Sequence, residues 1–220
     1  MLRRTLVFLG VLAASVAVAA PALAVRVHVR VEGVGQTIYG ARQPVLTPVS
    51  GQFRTPGPGS VRVRQTGQTP FGALERASRA GEFYYHASEF SFGPFVDRIG
   101  RFPSSGSAGW VYKVNHVSPP VGANAYRLQA GDEVLWYFAR FGPQGGPKTL
   151  DLVRTRAGCF RALLADDNGK KRRASDVVFV QDGRRIRSAS GQLCPNGRWR
   201  GLRATKAGAI RSEVVGFRSS

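Results

Sequence analysis

Gly109-Trp110-Val111-Tyr112-Lys113-Val114-Asn115 and Leu128-Gln129-Ala130-Gly131-Asp132-Glu133-Val134-Leu135-Trp136, the latter continuing through Tyr137 and Phe138, are the stretches on which the fold turns. β-Branched and aromatic side chains fit a pleated, half-buried surface, so Trp110–Val114 and Glu133–Phe138 read as two strong strands. Each is punctuated by turn chemistry. Asn115 tolerates a left-handed backbone at a strand end. Gly131 takes a positive φ without steric cost, and the Asp132 carboxylate can accept a hydrogen bond from the turn backbone. Successive strand residues point to opposite faces. On a sheet covered on one side, Trp136 and Tyr137 cannot both be buried, and one ring is expected to face solvent or a helix.

Working outward, Val25, Val27, Val29 and Val31 alternate with Arg26, His28 and Arg30. This period of two predicts a half-buried strand with its polar set on the far side. Residues 41–60, rich in Pro, Gly and Ser, read as a long loop, followed by a short strand at Val61 and Val63. One helix stands out. Thr69 can cap it, Pro70 suits its first position, Phe71, Leu74 and Ala77 form one stripe, and Gly81 ends it. At about twelve residues it is marginal alone and must lay that stripe on a sheet. Aromatic-rich strand material follows at Phe83–Phe92. One helix against several mixed strands argues an α+β fold over residues 25–141.

Gly142-Pro143-Gln144-Gly145-Gly146-Pro147 has no side chain able to build a core and reads as a linker over 142–147. Beyond it, residues 148–220 show no helical period. Strands are expected from Leu150, over Phe160–Leu164, over Val177–Val180, and through Val214, Val215 and Phe217. Turns at Asp166–Gly169 and Asp182-Gly183 separate them, the spacing of an all-β sandwich.

The amino terminus has the three parts of a secretory signal over residues 1–24. Arg3 and Arg4 head it, Leu6–Ala20 is apolar, and Pro21 precedes Ala22-Leu23-Ala24. The alternative, an uncleaved anchor, fits the length but not the proline and small residues. After cleavage no membrane span is expected, and the localisation is secreted or at the cell envelope. Two cysteines, Cys159 and Cys194, then read as one disulfide. Closing a loop of about 35 residues stabilises by roughly 3–4 kcal/mol on the chain-entropy account. Two isolated thiols cannot fill a tetrahedral metal shell. The formal charge is +19, from 32 basic and 13 acidic residues. Such an excess attracts anionic polymers, although a largely arginine excess fits a high-GC genome equally well.

The two opening stretches resemble the signature of bacterial domains grouped with the C-terminal, cobalamin-covering domain of transcobalamin and intrinsic factor. That signature is an aromatic strand ending in Val-Asn, a loop, Leu-x-x-Gly-Asp and a second aromatic strand. Ala73-Leu74-Glu75 lies where the family has its single helix. The resemblance implies a β-grasp and points to a corrinoid or other tetrapyrrole as ligand. His116 departs from the pattern, standing where glycine commonly follows the asparagine, and the cysteine pair of many relatives is missing from this domain. Residues 148–220 are similar, more loosely, to prealbumin-like or carboxypeptidase-regulatory-like modules. Asp182-Gly183, Ser190-Gly191 and Ala204–Ser212 carry that likeness, which implies an accessory sandwich.

Enzyme signatures are absent from the sequence: no H-E-x-x-H, no G-x-S-x-G and no phosphate-cradling glycine loop occurs. The three histidines, His28, His86 and His116, have no spaced carboxylate partner in the sequence. A non-catalytic binding role is therefore expected, with no cofactor. Trp110, Tyr112, Asn115 and Trp136 are the candidate ligand contacts, because aromatic rings offer stacking area and an indole adds a donor. The competing reading places those rings in the core. Lys170-Lys171-Arg172-Arg173, read as a loop after the Asp166–Gly169 turn, is the candidate contact for an anionic cell-wall polymer. No aromatic interleaves with it, so sequence-specific nucleic-acid binding is not expected.

Overall fold

The computed structural model describes residues 24–216 apart from 41–44, 49, 56, 58–59, 92, 144 and 156–157. The signal segment therefore lies outside the described residues, as do Gln144 of the linker and Phe217. Among the described residues the chain is mostly β with one helix. In order come β1 (Arg26–Glu32), β2 (Thr37–Gly40), β3 (Val45–Leu46), β4 (Ser50–Arg54), β5 (Arg62–Thr66), α1 (Pro70–Ala80), β6 (Tyr85–Phe90), β7 (Gly93–Ile99), β8 (Phe102–Pro103), β9 (Ala108–Val114) and β10 (Glu133–Arg140). The C-terminal half adds β11 (Lys148–Arg154), β12 (Phe160–Ala165), β13 (Lys171–Arg173), β14 (Val177–Gln181), β15 (Arg184–Ser188), β16 (Gln192–Leu193), β17 (Leu202–Thr205) and β18 (Ala209–Ile210).

The main sheet runs β2-β1-β10-β9, with β3 also on β1. Its centre is the parallel pair β1–β10, with His28 opposite Glu133 and Val31 opposite Trp136. β9 returns antiparallel beside β10 and forms the edge. α1 starts as its sequence dictates: Thr69 Oγ1 accepts from the Gly72 amide at 3.2 Å, and Pro70 sits in the first turn. Phe71, Leu74 and Ala77 are fully buried against Val27, Val29, Val31, Val134 and Trp136. A smaller sheet, β6-β7-β8, and the β4–β5 hairpin complete this half. The hairpin corrects the expectation of a long loop over 41–60. Within it Gln52 lies opposite Arg64.

In the C-terminal half β13-β12-β11-β18 form one sheet, with β16 on β12, and β15-β14-β17 form another. Leu150, Phe160, Val177, Phe179, Trp199 and Leu202 share a core. Asp182 and Gly183 both have positive φ, the two-residue turn that joins β14 to β15. Cys159 and Cys194 are bonded, next to the Phe160–Leu193 pair of β12 and β16. Two expectations fail here. Lys171–Arg173 is not a loop but an edge strand on β12. The expected strand through Val214 and Val215 is only a single bridge from Val215 to Leu202.

The far face of the main sheet is also covered. Leu135, Tyr137 and Ala139 are buried there, with Val111 and Ile210 packed beside them. Trp136 and Tyr137 are consequently both 2% exposed, because the sheet is closed on two sides rather than one. The polar set of β1 is likewise covered from Arg30 onward: Arg30 is 5% and Glu32 1% exposed. Glu32 lies within 2.8–3.3 Å of the guanidiniums of Arg30, Arg203 and Arg211, the latter two from the C-terminal half. Lys113, fully buried on β9, donates to the Asp166 carbonyl and lies 3.1 Å from the Asp167 carboxylate. The Asp166–Gly169 turn is thus a docking point between the halves.

Candidate functional site

Trp110 and Tyr112 of β9 and Trp136 of β10 fall on one face, since Tyr112 pairs across from Trp136 and Trp110 from Phe138. The Tyr112 and Trp136 rings lie 5.5 Å apart, and Trp110 meets Phe138 edge-on at 5.5 Å. Both indole donors are spent inside the protein. Trp110 Nε1 donates to the Phe102 carbonyl at 2.8 Å and Trp136 Nε1 to the Pro70 carbonyl at 3.2 Å. Trp110 and Trp136 are core residues, 3% and 2% exposed, so of the three only half-buried Tyr112 has carbon surface to spare. The Tyr112 hydroxyl donates to the Val121 carbonyl, and burial, helped by nearby Tyr126, pushes its pKa up to about 12.

The three aromatics line a cavity of about 340 Å³ along the β9 edge, closed by the 118–124 loop and by Pro94, Phe95 and Val96 of β7. Residues of both sheet faces reach this space, Val111 of β9 and Tyr137 of β10 among them. Phe95 and Phe141, each 41% exposed, stand in its wall. A shallow groove along Ser104–Gly109 shares Phe95, Trp110, Val111 and Phe141 with the cavity. Phe95 and Phe141 escaped the sequence reading. Phe141 did leave a signal: a large aromatic abutting a Gly/Pro linker has no core of its own to fill.

Asn115 does not join the aromatic set. It is exposed, with φ +50, and its side chain is committed on both ends. Nδ2 donates to Asp132 Oδ1 at 2.7 Å, and Oδ1 accepts from the Glu133 amide at 2.9 Å. Asp132 Oδ2 in turn accepts from the Gln129 amide, and Gly131 carries φ +87. The Val-Asn and Gly-Asp halves of the signature therefore hold each other. Their role here is to fix the end of β9 against the start of β10 in the antiparallel pair.

Asn115 and His116 form a two-residue turn closed by reciprocal bonds between Val114 and Val117. His116 has φ +69, a conformation that suits glycine. Its ring is buried, with Nε2 3.6 Å from Asp151 and 3.9 Å from Glu133. Burial alone would raise the Asp151 pKa. Hydrogen bonding and charge from His116 and Lys171 outweigh it and lower the value to about 2.

His86 also has a carboxylate partner, Asp97, at 2.7 Å, and Ser88 Oγ donates to the same carboxylate at 2.6 Å. Imidazole and hydroxyl sit side by side on one acid; a nucleophile relay needs them in series. The expectation that His86 and His116 lack carboxylate partners is therefore corrected, since strand pairing and the contact between the halves bring them in. Among the described residues no group of three or more His, Cys, Asp or Glu side chains is placed to hold a metal ion, and no helix is long and apolar enough to cross a membrane.

Lys170, Arg172 and Arg173 are exposed, as are Arg184, Arg185 and Arg187 on β15, an edge strand of the other sheet in this half. Lys171 is drawn to Asp151 at 2.7 Å. Comparison with known families adds one match: residues 67–140 fit the model of a family described as a domain of unknown function, DUF4430. The match runs from the turn before α1 to the end of β10 and takes in Trp110, Tyr112 and Trp136, within the stretch that carries the signature. No curated protein matches the chain.

Proposed function

We propose that this is a secreted, non-catalytic binding protein of the cell envelope, a β-grasp module followed by a β-sandwich, that takes an apolar-faced ligand at the β9 edge. The observation that carries this reading is the cavity lined by Trp110, Tyr112 and Trp136, with Phe95 and Phe141 exposed in its wall. Ligand sites are typically concave, mostly apolar and ~300–1,000 Å³ in size. At about 340 Å³ this one suits a small ring system or the rim of a larger macrocycle. A corrinoid, the ligand the signature suggests, would be gripped at its edge and from one side only. The disulfide fits an oxidising compartment.

The test is quenching of tryptophan fluorescence on titration with cobalamin and with haem. Phe95→Ala and Phe141→Ala, both at partly exposed positions, are expected to weaken binding about tenfold, the ~1.4 kcal/mol expected for one lost aromatic contact. No saturable quenching by either ligand, or identical titrations for the variants, defeats the reading.

A second reading has its own observation. Arg172, Arg173, Arg184, Arg185 and Arg187 are exposed on the edge strands β13 and β15, which suits adhesion to an anionic cell-wall polymer. Adhesion predicts retention on teichoic-acid-bearing wall that falls steeply with salt and survives Phe95→Ala.

A further inference from the structure

A second cavity, about 650 Å³, opens between the two halves of the chain, on the opposite side of the parallel pair from α1. Its walls include His28 and Arg30 of β1, Glu133 at the start of β10, and Arg203 and Glu213 from the C-terminal half. Arg30 is 5% exposed. Its Nη1 donates to Glu32 and, at 2.7 Å, to the Arg211 carbonyl. Its Nε and Nη2, the other edge of the guanidinium, are buried without a hydrogen-bond acceptor among the described residues, as is Arg203 Nε. A buried donor left unmade is costly, and a buried guanidinium more so. Two guanidiniums, those of Arg30 and Arg203, stand in this wall. Two carboxylates, Glu133 and Glu213, stand there with them. Burial raises the Glu213 pKa, and its Oε2 is buried without a hydrogen-bond partner among the described residues.

We infer that this cleft binds a small carboxylate, held by the Nε–Nη2 edge of Arg30. That edge is a planar fork whose spacing matches the two oxygens of a carboxylate. The chain already brings such a group near it: Glu133, about one-third exposed, has Oε1 3.5 Å from Nη2. Nη2 has no hydrogen-bond partner, Glu133 included, so Glu133 is the group an incoming carboxylate displaces. This site is separate from the aromatic cavity and stands or falls independently of it.

The test uses the full chain after signal removal, titrated with sodium acetate at ionic strength matched by sodium chloride, with the Arg30 Nε–H proton followed by NMR. A saturable downfield shift is expected for acetate and none for chloride. Glu133→Gln, which removes the competing carboxylate, is expected to tighten acetate at least threefold. Arg30→Lys, which keeps the charge and loses the fork, is expected to abolish saturation. The inference is overturned by a shift that follows ionic strength alone, by equal affinity in the wild-type and Glu133→Gln proteins, or by unchanged binding in Arg30→Lys. Inorganic phosphate binding more tightly than acetate also overturns it.

Discussion

On one face of the main sheet, Val27, Val29, Val31, Val134 and Trp136 meet the apolar stripe of α1; on the other, Arg30, Glu32 and Lys113 meet the C-terminal half through charges. The first contact follows from apolar area alone, joins neighbouring segments and asks little of geometry. The second buries ions, so it holds only while every partner is present and placed. One sheet thus has a tolerant side and an exacting side. The exacting side is where the chain carries its surplus of unsatisfied donors.

The sharpest way to break this contrast is Glu32→Ala. It strands three guanidiniums and should cost about 3–5 kcal/mol, the range for removing one partner of a buried ion pair, read by urea denaturation. If Glu32→Ala is nearly neutral, the two faces do not differ as described. Pairing Glu32→Leu with Arg203→Met should restore only part of that loss, because Arg30 and Arg211 still lack their carboxylate.

Reduction of the Cys159–Cys194 bond comes next, at about 3–4 kcal/mol on the chain-entropy account. It acts on the half that supplies Arg203 and Arg211. The near-ultraviolet signal of Trp199 should therefore fade before that of Trp136 in thermal melts of the reduced protein.

Acid gives a third, smaller effect. Asp151 has its pKa lowered from 3.8 to about 2, so its folded-state stabilisation is complete above its ordinary value and disappears as pH falls through about 2. The shift corresponds to about 2 kcal/mol. Asp151→Asn should flatten the stability profile between pH 4 and 2, a range set by that shift. A profile unchanged by this substitution would detach Asp151 from the charged interface.

The smallest effect is expected at the Asn115-His116 turn. His116→Gly relieves a left-handed residue but loses the contact with Asp151, and should fall within about 1 kcal/mol of wild type. His116→Ala keeps the strain and loses the contact, and should be about 1 kcal/mol worse than His116→Gly.

Much of the apolar side was legible in the sequence. Thr69, Pro70 and Gly81 mark the helix, Phe71, Leu74 and Ala77 mark its face, and the valines of β1 mark the strand it covers. These are local signals, readable within a dozen residues. The charged side was not legible. Arg30 and Glu32 alternate with valines as a solvated face would, and their partners Arg203 and Arg211 lie at the far end of the chain. Periodicity reports which residues share a face and is silent on what covers it. The same limit explains Lys171–Arg173, whose strand character comes only from pairing with β12. Trp110, Tyr112 and Trp136 were singled out by residue type alone, and two of the three lie in the core. The commitment of both indole donors and the contribution of Phe95 needed the three-dimensional arrangement of β7 against β9.

The parallel β1–β10 pair has a kinetic consequence. His28 and Glu133 lie opposite each other, yet nearly the whole amino-terminal half of the chain separates them in sequence. Closing so distant a contact is slow, because the entropy of the intervening segment must be lost before the pairing rewards it. β1 is made early in synthesis and must stay unpaired on that edge until β10 exists, a window in which its valines are open to chaperones or to misassembly with another copy.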